Sequence, residues 1–291
     1  MPDRKRKQKP EVSIIGSGRL GTALALALSS KGYSIKSLVA RTPQSARRAA
    51  GLLSRTVQVL ATKNLASLRP ADVFLITVPD DQIAGVAAEL SNLVLDPNRR
   101  PTALHTSGAL SAEVLTPLRD KGWHTGSLHP LISISAGDST VHGAYWSIEG
   151  DRPSVRLAKA IVQDLSGKSF SIKSEDKPLY HAAAVMSSGN VVALFDVALE
   201  MLAECGLDRK TARSILLPLI ASTVRSLEAK DPAQALTGTF SRGDVETVKR
   251  HVAALKHKEL VDALDLYRVL GKRSLKLTKE QPQITQILES V

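Results

Sequence analysis

The chain has 291 residues, of which 43% are hydrophobic and 3% aromatic, and its formal net charge is +11. The length suits about two domains, and the apolar content excludes a largely disordered chain. The longest apolar runs are broken by charge or proline before the roughly 18 residues that a membrane span needs, so we expect neither a membrane anchor nor a signal peptide. The single cysteine, Cys205, excludes an internal disulfide and a cysteine-cluster metal site. It therefore predicts a cytoplasmic protein without a metal centre.

Part of the positive charge lies in residues 1–10, which we interpret as a basic, disordered arm. The rest is spread along the chain, aromatic residues are scarce, and no basic helix is interleaved with aromatics. This pattern argues against a nucleic-acid binder. A basic surface of this kind instead attracts an anionic cofactor and a small anionic substrate.

The strongest motif begins at residue 11, where an apolar strand runs into a complete Gly-x-Gly-x-x-Gly and then a helix of small residues. Gly16 would allow the sharp turn, Gly18 the close approach of a pyrophosphate, and Gly21 the packing of helix on strand. Unpaired N–H groups at the start of the helix would hold the phosphates. The sequence therefore predicts a dinucleotide site whose turn comprises Gly16, Ser17, Gly18, Arg19, Leu20 and Gly21.

The end of the second predicted strand, residues 33–40, favours NADP over NAD. An NAD site carries an acidic residue there, about 20 positions after the glycines, which accepts from the ribose. This chain has Arg41 instead, and a guanidinium can form a two-pronged bond to a 2′-phosphate. Alternatively, Arg41 is a solvated loop residue ahead of a helix that Thr42 caps, with Pro43 in its first position. Both interpretations can hold together, and we include Thr42 in the predicted cofactor site.

Strands and helices alternate up to residue 173, which predicts an α/β Rossmann-type domain with a mainly parallel sheet. The strand at residues 72–78 leads to Val78 and Pro79, and the strand at residues 101–105 delivers Thr106 and Ser107 to the same edge. Cofactors bind at such edges. We expect Val78, Pro79 and Thr106 to border the cofactor, and Ser107 to orient the substrate.

Other polar residues near this edge have competing explanations. Asp80 and Asp81 follow the fourth strand and are better explained as helix capping than as catalytic groups. His129 lies at the end of the next strand, where it is either a second polar wall of the site or a structural imidazole held by the proline turn. The last strands, near residues 144–148 and 169–172, are predicted to be antiparallel or edge strands.

From residue 174 onward the strand pattern stops, which predicts an all-α domain over residues 174–291 after a cofactor domain over 11–173. Helices are expected at residues 177–205, 208–230, 232–236, 244–255 and 259–275. We expect this domain to form a homodimer. Arg242, in the loop at 237–243, is predicted to supply an anion contact to the site, reaching it from the second subunit of the dimer. Alternatively, the loop is an ordinary turn, with Asp244 capping the next helix.

Several motifs together resemble a family of Rossmann-like NADP-dependent oxidoreductases with a helical C-terminal domain of unknown function. The matching segments are residues 16–21, 77–80, 105–110, 126–131, 180–185, 235–238 and 242–244. The family is similar to ketopantoate reductase, pyrroline-5-carboxylate reductase and the β-hydroxyacid dehydrogenases, which place a proton donor on the first long helix after the cofactor domain. His181 holds that place in this chain. The resemblance implies hydride transfer between NADP(H) and a small carbonyl or imine compound in an interdomain cleft.

One departure from the family leaves a second function open. Relatives carry a Ser-Asn pair where this chain has Ser188, Gly189 and Asn190. On a regular helix Ser188 lies about 20° from His181 and can orient the substrate, whereas Asn190 lies about 180° round and faces away. A local bulge at Gly189 would restore it. Without that bulge, the alternative is a non-catalytic NADP-binding sensor that keeps the dehydrogenase fold.

Overall fold

The computed structural model describes residues 9–96, 98–134, 140–279 and 281–290. Residues 1–8 of the basic arm expected over residues 1–10 lie outside the described residues. At the end of this arm, the ammonium of Lys9 lies 2.8 Å from the Asp164 carboxylate and 4.7 Å from the centroid of the Tyr33 ring. The chain divides into two compact units, Met1–Val185 and Met186–Val291. The sheet unit extends past the expected boundary at residue 173 because Lys177 is buried and bonded to Ser127 of the sheet.

The first unit contains an eight-stranded sheet within its described residues, in the order β3-β2-β1-β4-β5-β6-β7-β8. The strands are β1 (Glu11–Ile15), β2 (Ser34–Ala40), β3 (Gln58–Ala61), β4 (Val73–Ile76), β5 (Thr102–His105), β6 (His124–Leu131), β7 (Tyr145–Gly150) and β8 (Lys168–Phe170). Strands β1 to β6 are parallel to one another. Strand β7 is antiparallel to β6, and the edge strand β8 is parallel to β7. The predicted α/β Rossmann-type fold is confirmed.

Helices cover both faces of this sheet. They are α1 (Arg19–Ser30), α2 (Pro43–Ala50), α3 (Asp80–Leu90), α4 (Thr116–Arg119) and α5 (Arg152–Asp164). A further helix, α6 (Lys177–Ser187), follows the last strand and buries only Lys177. Strand β1 shows how the sequence builds two cores, because Ile14 joins the apolar cluster that contains Leu24 of α1, and Ile15 joins the one that contains Ile83 of α3. Successive strand residues point to opposite faces, so a continuously apolar strand must be covered on both.

The second unit is helical in its described part. Its helices are α7 (Gly189–Ala203), α8 (Arg209–Ala229), α9 (Pro232–Ala235), α10 (Thr239–Arg242), α11 (Val245–His257), α12 (Val261–Leu275) and α13 (Pro282–Glu289). The single helix expected over residues 177–205 is wrong, because Ser188, with φ −130° and ψ −81°, interrupts it between α6 and α7. The angle of about 180° between Asn190 and His181, calculated for a regular helix, therefore does not apply.

Much of the apolar surface of the helices after the sheet is exposed. Within the described chain one helical segment, Ser174–Ala203, has the length and composition of a membrane span, with a mean hydropathy of 1.6 over a stretch that is 6% buried. The expectation that every apolar run falls short of such a span is wrong for this segment. Helix α8, with 21 residues, buries only Ala212. The second unit by itself therefore leaves α8 without a closed apolar core.

Candidate cofactor cleft and histidine cluster

A cleft of about 710 Å³ opens where β1, β2 and β4 end. Its lining residues are Gly16, Ser17, Gly18, Arg19, Thr22, Ala40, Arg41, Thr42, Ser45, Arg48, Ala49, Leu52, Thr62, Thr77, Val78, Pro79 and Gln82. The volume lies within the usual range for ligand sites. Eight of the eleven residues predicted to bind the cofactor are in this lining; the other three are Leu20, Gly21 and Thr106.

The glycine turn at the floor of the cleft is fixed by close backbone contacts. Gly16 has φ +109°, and a Cβ there would lie 2.6 Å from the carbonyl carbon of Thr77. A Cβ at Gly21 would overlap the carbonyl oxygen of Gly16, to which Thr77 Oγ1 donates at 2.5 Å. A Cβ at Gly18 would meet nothing within 4 Å. Two glycines therefore build the turn, and Gly18 leaves its outer side open.

The polar groups of the turn differ from the sequence expectation. The N–H groups of Gly16 and Ser17 both donate to the carbonyl of Val39, at 2.9 and 2.8 Å, so they are already occupied. The Ser17 hydroxyl is buried and has no hydrogen-bond partner among the described residues. Helix α1 begins at Arg19 without a side-chain cap. That hydroxyl and the helix N-terminus thus form a cradle suited to an anion.

The cleft is electropositive, since its lining includes Arg19, Arg41 and Arg48 and no acidic residue. Within the described chain, no salt bridge ties Arg41 or Arg48 to a carboxylate. Arg48 instead donates from Nη2 to the Ser45 hydroxyl at 3.3 Å. Thr42 Oγ1 accepts from the N–H of Ser45 and caps α2, as predicted. Ser45 and Arg48 were missed, although their i, i+3 spacing places them on the same helix face as the cap.

The loop after β5 is held by Ser107. Its hydroxyl donates to Asp80 Oδ2 at 2.7 Å and accepts from the N–H groups of Ala109 and Leu110 at 3.1 and 3.0 Å. Asp80 therefore anchors this loop besides lying in the first turn of α3. Thr106 is buried, and its N–H donates to the carbonyl of Ile76 at 3.1 Å.

His105 forms hydrogen bonds with the same loop. Its Nδ1 accepts from the N–H of Ser107 at 3.2 Å, and its Nε2 lies 3.1 Å from the carbonyl oxygen of Ser111. Burial lowers the pKa of His105 to about 4, with the Lys177 charge acting in the same direction. These partners fix a neutral ring with its proton on Nε2.

Two further histidines, His129 and His181, lie beside this loop. His129 Nδ1 lies 2.8 Å from the Tyr180 hydroxyl, and the rings of His129 and His181 meet edge to face with centroids 5.6 Å apart. A Cβ at Gly108 would overlap His181 Nδ1 and lie 2.8 Å from His129 Nε2. Burial lowers the pKa of His129 to about 4, helped by His181 and Lys177. The structure thus brings the predicted His129 and His181 together, along with Tyr180, which had no predicted role.

Lys177 is a further residue that the sequence reasoning missed. It is completely buried, and its ammonium donates to Ser127 Oγ at 2.8 Å. Burial lowers its pKa, while Glu149 and Asp80 oppose that shift. Its position four residues before His181 places both on one face of α6, and that spacing is the signal that could have identified it.

Two predicted residues lie in the second unit. Ser188 occupies the break before α7. Arg242 donates from Nε and Nη2 to Asp244 Oδ2 at 2.9 and 2.7 Å. The expectation that Asp244 caps the next helix is wrong, because its carboxylate binds this guanidinium and makes no cap bond. Within the described chain, no group of three or more His, Cys, Asp or Glu side chains is placed to hold a metal ion.

Comparison with known proteins supports this assignment of the fold. Residues 2–130 match the Rossmann-like domain, and residues 144–274 match a domain of unknown function (DUF2520). No curated protein matches the sequence. The structure is similar to "putative NADP oxidoreductase BF3122" from Bacteroides fragilis, with 25% identity, a TM-score of 0.75, and coverage of 92% of this chain and 99% of that one.

Two more distant structures share the fold. One is 1-pyrroline-5-carboxylate reductase from Streptococcus pyogenes, with 13% identity, a TM-score of 0.60, and coverage of 98% of this chain and 100% of that one. The other is the reductive aminase from Aspergillus terreus in complex with NADPH and ethyl-5-oxohexanoate, with 15% identity, a TM-score of 0.64, and coverage of 97% and 99%. The chain therefore combines a Rossmann-like domain with a DUF2520 domain, in the fold of NADP-dependent oxidoreductases.

Proposed function

We propose that the protein binds NADP(H) in the cleft at the glycine turn and transfers hydride to or from a small carbonyl or imine compound, with His181 as the proton donor. The observation that supports cofactor binding best is the start of α1, which has no side-chain cap and lies beside the buried Ser17 hydroxyl, for which the described residues offer no hydrogen-bond partner. A buried hydroxyl without a partner costs about 1–3 kcal/mol, so a phosphate that satisfies it is favoured.

The arginines of the cleft support NADP over NAD. Arg41 and Arg48 carry two positive charges without a carboxylate partner in the described chain, beside the Ser45 hydroxyl. A 2′-phosphate supplies the negative charge that would pair with these two arginines, and a ribose hydroxyl does not. At the other end, Val78 and Pro79 would border the nicotinamide.

Replacing Arg41 by Ala tests the cofactor preference. Loss of one charge-assisted bond, about 1.5–3 kcal/mol, should weaken NADPH binding roughly 10- to 150-fold and leave NADH binding nearly unchanged. Arg47→Ala is the matched control, because Arg47 is in helix α2, which begins just after Arg41, but lies outside the cleft lining. Equal losses for both coenzymes, measured by fluorescence titration, would contradict the 2′-phosphate role.

The chemistry follows from the histidine cluster. Bound NADPH supplies the hydride, and the protein must supply a proton to the oxygen or nitrogen that gains charge. His181 suits that role because an imidazole ring carries an N–H that it can donate. We assign His129 to the second polar wall, one of the two roles that the sequence left open for it. Ser107 is committed to Asp80 and the loop amides, so we assign it to positioning the loop.

A screen of NADPH oxidation over 2-keto acids, β-keto acids and cyclic imines tests the reaction. His181→Ala should remove turnover with little change in NADPH affinity, and an unaffected rate would refute the assignment. Tight NADPH binding with no turnover of any compound would favour the alternative, a non-catalytic NADP-binding sensor. Absence of NADPH binding would overturn both.

We further propose that the helical unit forms a homodimer. In α7 and α8 eight large apolar side chains are at least 42% exposed: Val191, Val192, Leu194, Ile215, Leu217, Leu219, Val224 and Leu227. Monomeric proteins rarely leave so large an apolar surface open. The same helices carry Asp196, Glu200 and Arg213, whose charges are costly within a bilayer. A second copy of the chain therefore suits this surface better than a membrane, in keeping with the expected cytoplasmic location.

Light scattering combined with size-exclusion chromatography should report twice the mass of one chain. Leu219→Glu, at a side chain that is 61% exposed, should shift the protein to a monomer, whereas Leu52→Glu, equally exposed in the other unit, should not. A monomeric wild type would refute the proposal. Flotation with lipid vesicles would indicate a membrane surface instead.

A further inference from the structure

Helix α6, strand β6 and the loop after β5 each supply two residues to the region around His181. The two residues on α6 are four positions apart and share a face of the helix. The two on β6 are two positions apart and share a face of the sheet, and the two in the loop are consecutive. One residue of each pair belongs to a serine–lysine network, which comprises Lys177, Ser127 and Ser107. The other belongs to a ring contact, which comprises His181, His129 and Gly108.

The serine–lysine network is a continuous set of hydrogen bonds between buried residues. The Lys177 ammonium donates to Ser127 Oγ at 2.8 Å, and the Ser127 hydroxyl donates to the carbonyl oxygen of Ser107 at 3.3 Å. A hydroxyl group can accept and donate at the same time, so Ser127 sustains both bonds. All three residues are buried. The network therefore ties α6 and β6 to the loop after β5 in the interior of the first unit.

Ser107 is fixed at each of its polar groups. Its carbonyl accepts from Ser127, its N–H donates to His105 Nδ1 at 3.2 Å, and its hydroxyl donates to Asp80 Oδ2 at 2.7 Å. Asp80 directly follows Pro79, which lines the cofactor cleft. The network thus connects helix α6 to one wall of that cleft.

The ring contact depends on the position of the same loop. A Cβ at Gly108 would overlap His181 Nδ1 and lie 2.8 Å from His129 Nε2, so both rings pack directly against this glycine. The two rings also meet edge to face, with centroids 5.6 Å apart. His181 Nδ1 is buried and has no hydrogen-bond partner among the described residues. Packing against Gly108 and His129, rather than a hydrogen bond at Nδ1, therefore determines where the His181 ring lies.

We propose that Lys177 and Ser127 are positioning residues that hold the loop after β5 against His181 and so fix the distance from its ring to the cofactor cleft. This deepens the proposed function and rests on it. A fully buried ammonium is costly, and the bond to Ser127 gives that charge a role that an apolar side chain cannot take. Both residues are completely buried, so they act through the loop and do not touch the reacting atoms.

The proposed reaction is sensitive to this distance. A proton donor must lie within about 2.6–3.2 Å of the atom that receives the proton. A displacement of the ring by about 1 Å can cost about 100-fold in rate. Breaking the network should therefore lower kcat, whereas the glycine turn and the arginines that would bind the cofactor keep their places.

Ser127→Ala is the sharpest variant, because it removes the hydroxyl between Lys177 and Ser107 without adding volume. Ser154→Ala is the matched control. Ser154 is also completely buried, and its hydroxyl donates to the carbonyl oxygen of Thr125 at 2.8 Å, outside the network. Each variant loses a buried bond from a serine hydroxyl to a backbone carbonyl, so both should lower the Tm. A purely structural role for Ser127 predicts no other difference between them.

The readout that separates the two roles is the nuclear Overhauser effect between the His181 ring protons and the Hα protons of Gly108, measured on the full chain without cofactor. We expect the wild-type intensity in Ser154→Ala. Because this effect falls with the sixth power of distance, a shift of about 1 Å should reduce it about fivefold in Ser127→Ala. Lys177→Met, which removes the ammonium from a side chain of similar length, should reduce it as well. Wild-type intensity in Ser127→Ala or in Lys177→Met, or an equal loss in Ser154→Ala, overturns the inference.

Turnover of any compound found in the NADPH oxidation screen gives a second check. Ser127→Ala should lower kcat about 10- to 100-fold, while NADPH affinity stays within about twofold of the wild type. Ser154→Ala should keep both values, and an unchanged kcat in Ser127→Ala contradicts the positioning role. NADPH titration keeps the two proposals apart. Loss of NADPH binding in the wild type would remove the proposed function, whereas intact binding with an unmoved His181 ring in Ser127→Ala would remove only the positioning role.

Discussion

Replacing Gly16 by Ala is the most direct test of the glycine turn. The backbone φ of +109° costs a residue with a Cβ about 1–2 kcal/mol. The new Cβ would also lie 2.6 to 2.8 Å from three backbone atoms of Thr77 and Val78, which cannot rotate away. Overpacking of this kind costs about 1–3 kcal/mol. Together these terms predict a loss of about 2–5 kcal/mol, or a fall in Tm of roughly 5–20 °C for a unit of this size.

Gly18→Ala is the matched control, because it adds the same methyl group two residues later. A Cβ there meets nothing within 4 Å, and φ is −73°. Stability should therefore change by less than about 1 kcal/mol. The methyl group does, however, lie where a pyrophosphate must approach, so NADPH affinity should fall by about tenfold or more. Thermal unfolding by circular dichroism and NADPH fluorescence titration separate the two effects. A wild-type Tm for Gly16→Ala, or unchanged NADPH binding for Gly18→Ala, would refute the reasoning.

Three further predictions concern hydrogen bonds and protons. Ser107→Ala should cost about 1–3 kcal/mol in urea unfolding, because two loop N–H groups and Asp80 lose their partner; an unchanged midpoint would contradict this. Ser17→Ala should raise the Tm of the free protein slightly, because it removes a buried hydroxyl that has no partner among the described residues, and it should weaken NADPH binding about fivefold. His105 and His129 have folded pKa values of about 4, below the unfolded value of about 6.5. The unfolded chain therefore binds more protons between these values, and the free energy of unfolding should fall as pH drops through them, by up to about 3 kcal/mol per histidine. Equal urea midpoints at pH 7 and 4.5 would exclude this.

The sheet could be predicted from the sequence because its signals are local. Strand β1 is apolar at Val12, Ile14 and Ile15, and the glycine motif follows it directly, which together indicate a strand buried on both faces and leading to a helix. The Thr42 cap and the proline after it likewise mark the start of α2 within four residues. Such features depend on neighbours in the chain, so composition and spacing are enough to place them.

The histidine cluster could be predicted only in part. His129 and His181 were identified singly, but the contact of His129 with Tyr180 joins residues 51 positions apart. The burial of Lys177 also depends on tertiary packing. It could not be predicted, because a lysine in an amphipathic segment is normally interpreted as a solvated side chain. The break at Ser188 was anticipated only as a local bulge at Gly189. The apolar segments on both sides of it favour helix, so the sequence predicted one continuous helix there.

Lys177 shows why the histidine cluster offers no excess positive charge to a substrate. A fully buried ammonium is costly unless carboxylates offset its charge, and both Glu149 and Asp80 act on Lys177 in that sense. These carboxylates are themselves oriented by neutral donors, the N–H of Ala112 and the hydroxyl of Ser107. One cation and two carboxylates leave no excess positive charge beneath the histidines to hold an anion. The arginines are in the cofactor cleft instead. In the proposed function, charge recognition and proton transfer are therefore separated within the first unit, and an acidic group on a substrate would need a binding partner other than this cluster.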